Sequence, residues 1–309
     1  MPSLSVVIPV YNGASSIGPL MDDIRRNKNG YDLQIVLVND GSKDNSETVC
    51  ARLAEENDDI LFVSLRKNFG EHNAVMCGLN YATGDVTVII DDDFQNPPSE
   101  IIKLTEACQQ GYDVVYSRYH RKQHHWFRNL GSRLNDAVAT WLLSKPKTLY
   151  LSSFKAIRRE VVDEIIKYRG PFPYVDGLIM RVTRNIGWVY VDHAARNEGR
   201  SNYTLKKLIS LYLNMFLNFS IKPLRVFTAT GFFMFVVGSV LSLYFILDKL
   251  IHPDIKLGWT SIMVSVLVFN GIQLMFMGLI GEYLGKNYLD QNGTPQWVIK
   301  KIVGNPGKG

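Results

Sequence analysis

Residues 88–100 read VIIDDDFQNPPSE, an apolar run that stops abruptly at three consecutive carboxylates. Adjacent like charges repel unless a cation or water neutralises them, so the question is what faces Asp91, Asp92 and Asp93. In an extended segment alternate side chains share a face. Asp91, Asp93 and Gln95 then point one way and Asp92 the other. Two carboxylates and an amide oxygen form a hard-oxygen set, suited to Mg²⁺ or Mn²⁺ with positions left open for phosphate oxygens and water. The tandem prolines at 97 and 98 preset the backbone for a following helix. A solvated acidic turn is the plain alternative. The position at the end of a buried strand, with Gln95 following, favours the metal.

Outward from this stretch, apolar runs alternate with helical patterns. Strand-like segments at 4–10, 33–40, 60–65, 86–91 and 113–118 are separated by helical ones around 15–27, 44–57 and 71–82 and from near Pro98. Continuous Val/Ile runs between helices imply a mostly parallel sheet covered on both faces, a doubly wound α/β domain. Ligands of such sheets bind beyond the carboxyl ends of the strands. PVYNG, NDGSKDNS, RKNFGEHN and DDDFQNPP follow the first four strands and would converge there. Neither GxGxxG nor GxxxxGK[ST] is present, so a phosphorylated ligand needs another counter-charge.

The chain has 309 residues, a formal charge of +5 and a pI of about 8.9. That balance is too mild for nucleic acid but suits anionic lipid or phosphate ligands. Three cysteines without a CxxC give no disulfide framework or zinc knuckle and fit a reducing compartment. The N-terminus lacks the basic region of a signal peptide. His120, His124 and His125 lack ligand spacing.

Beyond residue 200 the composition changes. Segments 226–247 and 259–280 each hold 22 uncharged residues, enough to cross a bilayer as helices. Lys206, Lys207, Lys222 and Arg225 precede the pair, and Lys286, Lys300 and Lys301 follow it. The positive-inside rule then puts both termini in the cytoplasm. The expected organisation is a catalytic domain over 1–200, a juxtamembrane segment over 201–225, a transmembrane hairpin over 226–280 and a cytosolic tail over 281–309. The juxtamembrane segment reads equally well as an interfacial helix or as a core helix ended by Pro223.

The order VVIPVYN, VLVNDGSKDNS, LRKNFGEHNAV, GDVTVIIDDDFQNPPSEI and GYDVVYSR, followed by WFRNLGSRLN, GRSNY and GLIGEYLGKNY, resembles the family 2 glycosyltransferases of GT-A fold. More narrowly it resembles the polyisoprenyl-phosphate glycosyltransferases. These include dolichol-phosphate mannose synthase and the bacterial enzymes that load glucose or aminoarabinose onto undecaprenyl phosphate. The resemblance implies a metal held by Asp91, Asp93 and Gln95. It implies a nucleotide pocket lined by Pro9, Tyr11, Asn12, Asp40, Asn68 and Gly70, with Asp92 on the ribose or the surrounding loop and backbone amides near Gly70 assisting. The donor would be a nucleotide-diphosphate sugar, with UDP favoured, and the acceptor a polyprenyl phosphate. The setting would be a bacterial inner membrane, and the assembly a homo-oligomer such as a tetramer.

The acceptor phosphate calls for arginines, whose fork matches phosphate oxygens in pairs. Arg128 and Arg118 rank first, then Arg121, with Ser132 as a hydroxyl donor and Arg196 and Ser201 from RNEGRSNY, a further segment the resemblance puts near the acceptor; Arg133 reads as surface. Asp91, Asp93 and Arg128 are the expected catalytic residues. Two departures stand out: the family's YNE reads YNG at Gly13, and TLYLSSFKAIRRE has Leu149 where relatives carry an aspartate and Lys155 after Phe154. A processive polysaccharide synthase is disfavoured by the lack of QxxRW, and a non-catalytic scaffold or flippase subunit by the intact DxDxQ.

Overall fold

The computed structural model describes residues 2–119, 140, 149–192 and 258–305, with positions 228–233, 236, 237, 240, 243, 244, 247, 250 and 251. The chain divides into two units, Met1–Thr204 with Gly293–Gly309, and Leu205–Asn292.

The first unit is built on β1 (Ser3–Val10), α1 (Ile17–Arg26), β2 (Asp32–Asn39), α2 (Ser46–Glu56), β3 (Ile60–Leu65), α3 (Glu71–Tyr81) and β4 (Val86–Ile89). A single 3₁₀ turn at Pro98–Glu100 leads into α4 (Ile101–Gln109), then β5 (Val114–Tyr119), β6 (Lys155–Arg158), α5 (Arg159–Ile165), α6 (Val175–Val182) and β7 (Ile186–Val191). The last strand, β8 (Ile299–Val303), returns from the far end of the chain.

These strands form one sheet in the order β7-β5-β6-β4-β1-β2-β3-β8. β3, β2, β1 and β4 run parallel, as the Val/Ile runs imply. β6 lies antiparallel between β4 and β5, and β8 caps the β3 edge antiparallel. The sheet is thus mixed, and residues 299–303 of the segment expected as a tail belong to it.

Two apolar faces hold the layers. Leu4, Val6, Ile8 and Val10 of β1 pack with Ile17, Leu20, Met21 and Ile24, the i, i+3, i+4, i+7 stripe of α1. On the other face α3 lies on β1 and β2, and Gly78 lets it approach, because a Cβ there would strike Val7 and Val38. Cys50, Cys77 and Cys108 are all free and buried, and burial pushes each thiol up to about 12, the behaviour of inert core cysteines.

The second unit contains α7 (Trp259–Gln291), 33 residues long. Among the described residues no helix is long and apolar enough to cross a membrane. The expected spans 226–247 and 259–280 include positions outside that set. Within this unit large apolar side chains lie open, with Phe232, Leu250 and Leu274 at 69%, 73% and 68% exposure.

Candidate functional site

Strand β4 stops at Ile89, two residues earlier than expected, and the chain then turns, with Phe94 at φ 56°. Strand alternation therefore does not order the acidic run; its partners do. Ser153 Oγ donates to Asp91 Oδ2 at 2.5 Å. The β4–β6 register pairs Ile89 with Lys155, which carried two residues further sets Ser153 against Asp91. Asp92 Oδ2 instead accepts the Tyr11 amide at 3.3 Å, and Asp93 Oδ1 accepts the Gln95 amide at 3.2 Å. Burial above all, together with the Asp91 and Asp93 charges, raises Asp92 to about 7 against the opposing Tyr11 amide.

Behind Asp91 lies a set of ionisable groups. Lys155 is 4% exposed and ion-paired with Asp176, which also accepts from Tyr116 Oη at 2.8 Å. The Lys155 ammonium sits 5.1 Å from the centre of the Tyr116 ring. At the start of α3, His72 packs edge-on against Tyr174 at 5.0 Å, and burial lowers its pKa to about 4, keeping it neutral. The protein around Glu71 and the Asp91 carboxylate raise Glu71 to about 7, while Lys155 pulls the other way. The Glu71 side chain is nonetheless open to solvent, which makes it a cleft wall rather than a core residue.

The segments expected to seat the nucleotide are a set of interlocked turns. Asp40 is 3% exposed, and its two oxygens accept the Phe69 and Gly70 amides at 2.7 and 2.9 Å. Burial raises its pKa against these bonds. The Phe69 and Gly70 amides, just ahead of α3, are thus committed to Asp40. Gly41, at φ +64°, is required because a Cβ would meet Asn68 N at 2.5 Å. Asn12, at φ 59°, donates its amide to Ser42 Oγ and accepts from the Lys43 amide. The Gly13 amide donates to Ser46 Oγ at 2.9 Å, and the Ala14 amide to Asp44 at 3.2 Å. Tyr11, Asn12 and Asn68 are exposed at the mouth of this region, and Pro9 is half-buried on β1.

Arg118, at the end of β5 and expected toward the acceptor, lies over Trp188 at 4.6 Å and Tyr190 at 5.7 Å, both on β7. Two cation–π contacts hold its planar group while leaving the N–H edges for an anion. Arg121, Arg128, Ser132, Arg196 and Ser201 lie outside the described residues.

Sequence reasoning missed Ser153, Asp176, Tyr116, His72 and Glu71. Signals were present: TLYLSSFKAIRRE contains Ser153 and Lys155, LRKNFGEHNAV contains Glu71 and His72, and GYDVVYSR contains Tyr116. Among the described residues no group of three or more His, Cys, Asp or Glu could hold a metal ion. Asp91, Asp93 and Gln95 would supply hard oxygen donors, of the kind that take up Mg²⁺ through one or two carboxylates with phosphate and water completing the shell. The donor chemistry fits a hard divalent cation.

Residues 5–166 match the model of glycosyl transferase family 2, and residues 222–286 match the GtrB C-terminal hairpin. An undecaprenyl-phosphate 4-deoxy-4-formamido-L-arabinose transferase of Proteus mirabilis is 33% identical over 306 residues, covering 97% of this chain and 94% of that protein. The protein of the same description from Enterobacter sp. is 34% identical over 97% of this chain and 93% of its own length. Among solved structures, glucosyl-3-phosphoglycerate synthase of Mycobacterium tuberculosis with phosphoglyceric acid superposes with a TM-score of 0.53 at 20% identity, over 69% of this chain and 79% of that one. The same enzyme with Mn²⁺, UDP-glucose and phosphoglyceric acid gives 0.51 at 22% identity, over 68% and 76%.

Proposed function

This chain belongs to glycosyl transferase family 2, and from that premise we propose that it transfers a sugar from a UDP-sugar to undecaprenyl phosphate, inverting the anomeric centre. The observation that carries this reading is the meeting, at one end of the sheet, of the Asp91–Asp93 loop with the turns around Tyr11, Asp40 and Asn68. The names of the full-length relatives support the lipid acceptor.

Asp91 and Asp93 would hold the divalent cation, with Gln95 beside them. A cation bound there offsets the charge that builds on the departing diphosphate. Ser153 keeps the Asp91 carboxylate in one orientation. Pro9, Tyr11, Asn12 and Asn68 line the nucleotide end, and Asp40 fixes the loop carrying Asn68 through its two amide bonds. The acceptor oxygen is a phosphate whose second pKa is about 6, so it attacks largely ionised and needs orientation more than a strong base. Arg118 supplies orientation from its aromatic seat. Arg128, Arg121, Ser132, Arg196 and Ser201 would add to it.

Membrane attachment rests on the hairpin match and on the open apolar side chains of the second unit, which water would leave unpaid. The flanking lysines support a cytoplasmic side for the catalytic unit and both termini, at a bacterial inner membrane. Self-association through the membrane-proximal helices, as a tetramer, completes the proposal.

The test uses the full chain in detergent with undecaprenyl phosphate, Mn²⁺ or Mg²⁺, and UDP-glucose or UDP-4-deoxy-4-formamido-L-arabinose. A lipid-linked monosaccharide is expected, lost on chelation, and Asp93→Asn is expected to cut turnover by about 10³-fold, the scale of removing a main transition-state stabiliser. Turnover that survives chelation would sink the metal assignment. Product from soluble phosphoglycerate but not from the lipid would sink the acceptor.

A further inference from the structure

Gly13 and Asp92 compete for one space. No positive φ demands glycine at 13, so its need is steric. A Cβ on Gly13 would fall well inside contact distance of Asp92 Oδ2, 3.0 Å from its Cγ and 3.3 Å from Ser16 Oγ. The same Asp92 Oδ2 accepts the Tyr11 amide at 3.3 Å. One carboxylate oxygen therefore fills the volume of a missing side chain and satisfies the backbone of the turn that contains it.

We propose that Asp92 is a positioning residue that stands in for a side chain at residue 13 and locks the Tyr11–Gly13 turn to the metal-side loop. The sequence reading left Asp92 to the ribose or to the surrounding loop; its bond to the Tyr11 amide favours the loop. Asp91 and Asp93 engage Ser153 and the Gln95 amide, so the three carboxylates have separate tasks. The turn's other side-chain acceptors are Ser42, Asp44 and Ser46, on the segment that follows β2. Asp92 supplies the link back. The loop that would carry the cation and the turn that would seat the nucleotide are thereby set in register before any ligand arrives. A side chain at 13 and a carboxylate at 92 are mutually exclusive, and either one could fill the gap.

This inference rests on the UDP-sugar reading for its functional readout, and a second readout is independent of it. Four variants of the full chain in detergent form the test: Gly13→Ala, Asp92→Ala, their combination, and Gly13→Asp with Asp92→Ala. Calorimetry with UDP and Mn²⁺ is expected to show about tenfold weaker binding for each single variant, roughly a 1.4 kcal/mol difference. Donor KM should rise alike, with acceptor KM and kcat at saturating donor held within about twofold, since the chemistry of Asp91 and Asp93 is untouched. Adding Gly13→Ala to Asp92→Ala should cost nothing further, because the clash is gone; neighbours sharing a space are non-additive in this way. Gly13→Asp with Asp92→Ala should regain most of the loss, since the carboxylate returns from the other side. Independently of nucleotide, amide hydrogen exchange over residues 11–14 of the unliganded chain should speed up in Asp92→Ala and slow again in the charge-returning pair. Equal penalties for Gly13→Ala in both backgrounds, or unchanged exchange in Asp92→Ala, would overturn the proposal. Should wild type bind no UDP while the exchange pattern holds, the nucleotide assignment fails and the positioning role stands. Asp92→Asn, which keeps the size and an acceptor oxygen, serves if the alanine variant does not fold; it should keep the slow exchange, and wild-type behaviour of Gly13→Ala in that background would also overturn the claim.

Discussion

Asp91 and Asp92 are neighbours in the chain, yet they look into two differently built flanks of the site. The Asp91 flank is made of side chains: the Ser153 hydroxyl, then the Lys155–Asp176 pair with Tyr116, and the neutral His72 nearby. The Asp92 flank is made of backbone amides and short polar groups, with the Tyr11, Asn12, Gly13 and Ala14 amides each seated on a side-chain oxygen. Charges buried together are costly to separate, because removing one strands the other in a poorly solvating interior. Amide-to-hydroxyl bonds each contribute only about 1 kcal/mol net, and their value lies in geometry. The first flank should therefore fail by unfolding and the second by losing alignment.

Lys155 is the strongest place to break that contrast. Lys155→Met keeps most of the stem but leaves Asp176 without its cation, with Tyr116 as the remaining donor. A loss of about 3–5 kcal/mol is expected in denaturant or thermal unfolding of the catalytic unit, the usual cost of orphaning one buried partner. Pairing it with Asp176→Asn, which still accepts from Tyr116, should recover at least half. A loss below about 1 kcal/mol would mean that water reaches the pair, and the two flanks would then be alike.

Ser153 sharpens the contrast next, because it sits where the charged flank touches the chemistry. Ser153→Ala removes the donor that orients Asp91 but leaves both carboxylates in place. Groups of this kind typically change metal affinity 10–100-fold, or about 1.4–2.7 kcal/mol. Mn²⁺ titration of the UDP-bound chain by electron paramagnetic resonance should show the shift directly, and the metal concentration for half-maximal turnover should follow it. Ser153→Thr, which keeps the hydroxyl, should restore most of it. A change in UDP binding with no change in metal affinity would assign Ser153 to the other flank.

Much of this was legible in the sequence, and the limits follow from how each element is made. β1 to β5 announce themselves as runs of buried Val and Ile, because parallel strands covered on both faces carry no polar alternation. β6 has four residues, KAIR, two of them basic, too short and too charged to stand out. β7 is an edge strand whose Trp188 and Tyr190 are exposed, so its pattern resembles a surface loop. β8 is a lysine-rich segment beyond a long apolar stretch, and nothing local says that it pairs with β3. Asp40, Asp91 and Asp93 could be placed at strand ends because their loops follow recognisable strands. Ser153 and Asp176 could not, since the β4–β6 pairing and α6 bring them in from 62 and more residues away. Gly13 lies between these cases: the missing carboxylate was visible, and the one that replaces it was visible 79 residues later, but only the fold superposes them.

Ser46 supplies the smallest and most discriminating comparison, because Ser46→Ala repeats the Ser153→Ala change on the opposite flank. Ser46 Oγ accepts the Gly13 amide at 2.9 Å and donates to Asp44 Oδ1 at 2.5 Å, and the side chain is fully buried. Its removal leaves one buried amide without an acceptor, for which about 1–2 kcal/mol of stability is the expected range. Asp44 keeps the Ser46 and Ala14 amides, so no charge is stranded, and the loss should stay below that of Lys155→Met. The functional effect should fall on the donor alone. UDP affinity should weaken about two- to fivefold as the Gly13 turn loosens, while Mn²⁺ affinity stays at the wild-type value because Asp91 and Ser153 are undisturbed. Two serine deletions would then separate metal from nucleotide cleanly. If Ser46→Ala shifts the Mn²⁺ titration as far as Ser153→Ala does, the acidic run works as one unit and the division between its neighbouring carboxylates is wrong.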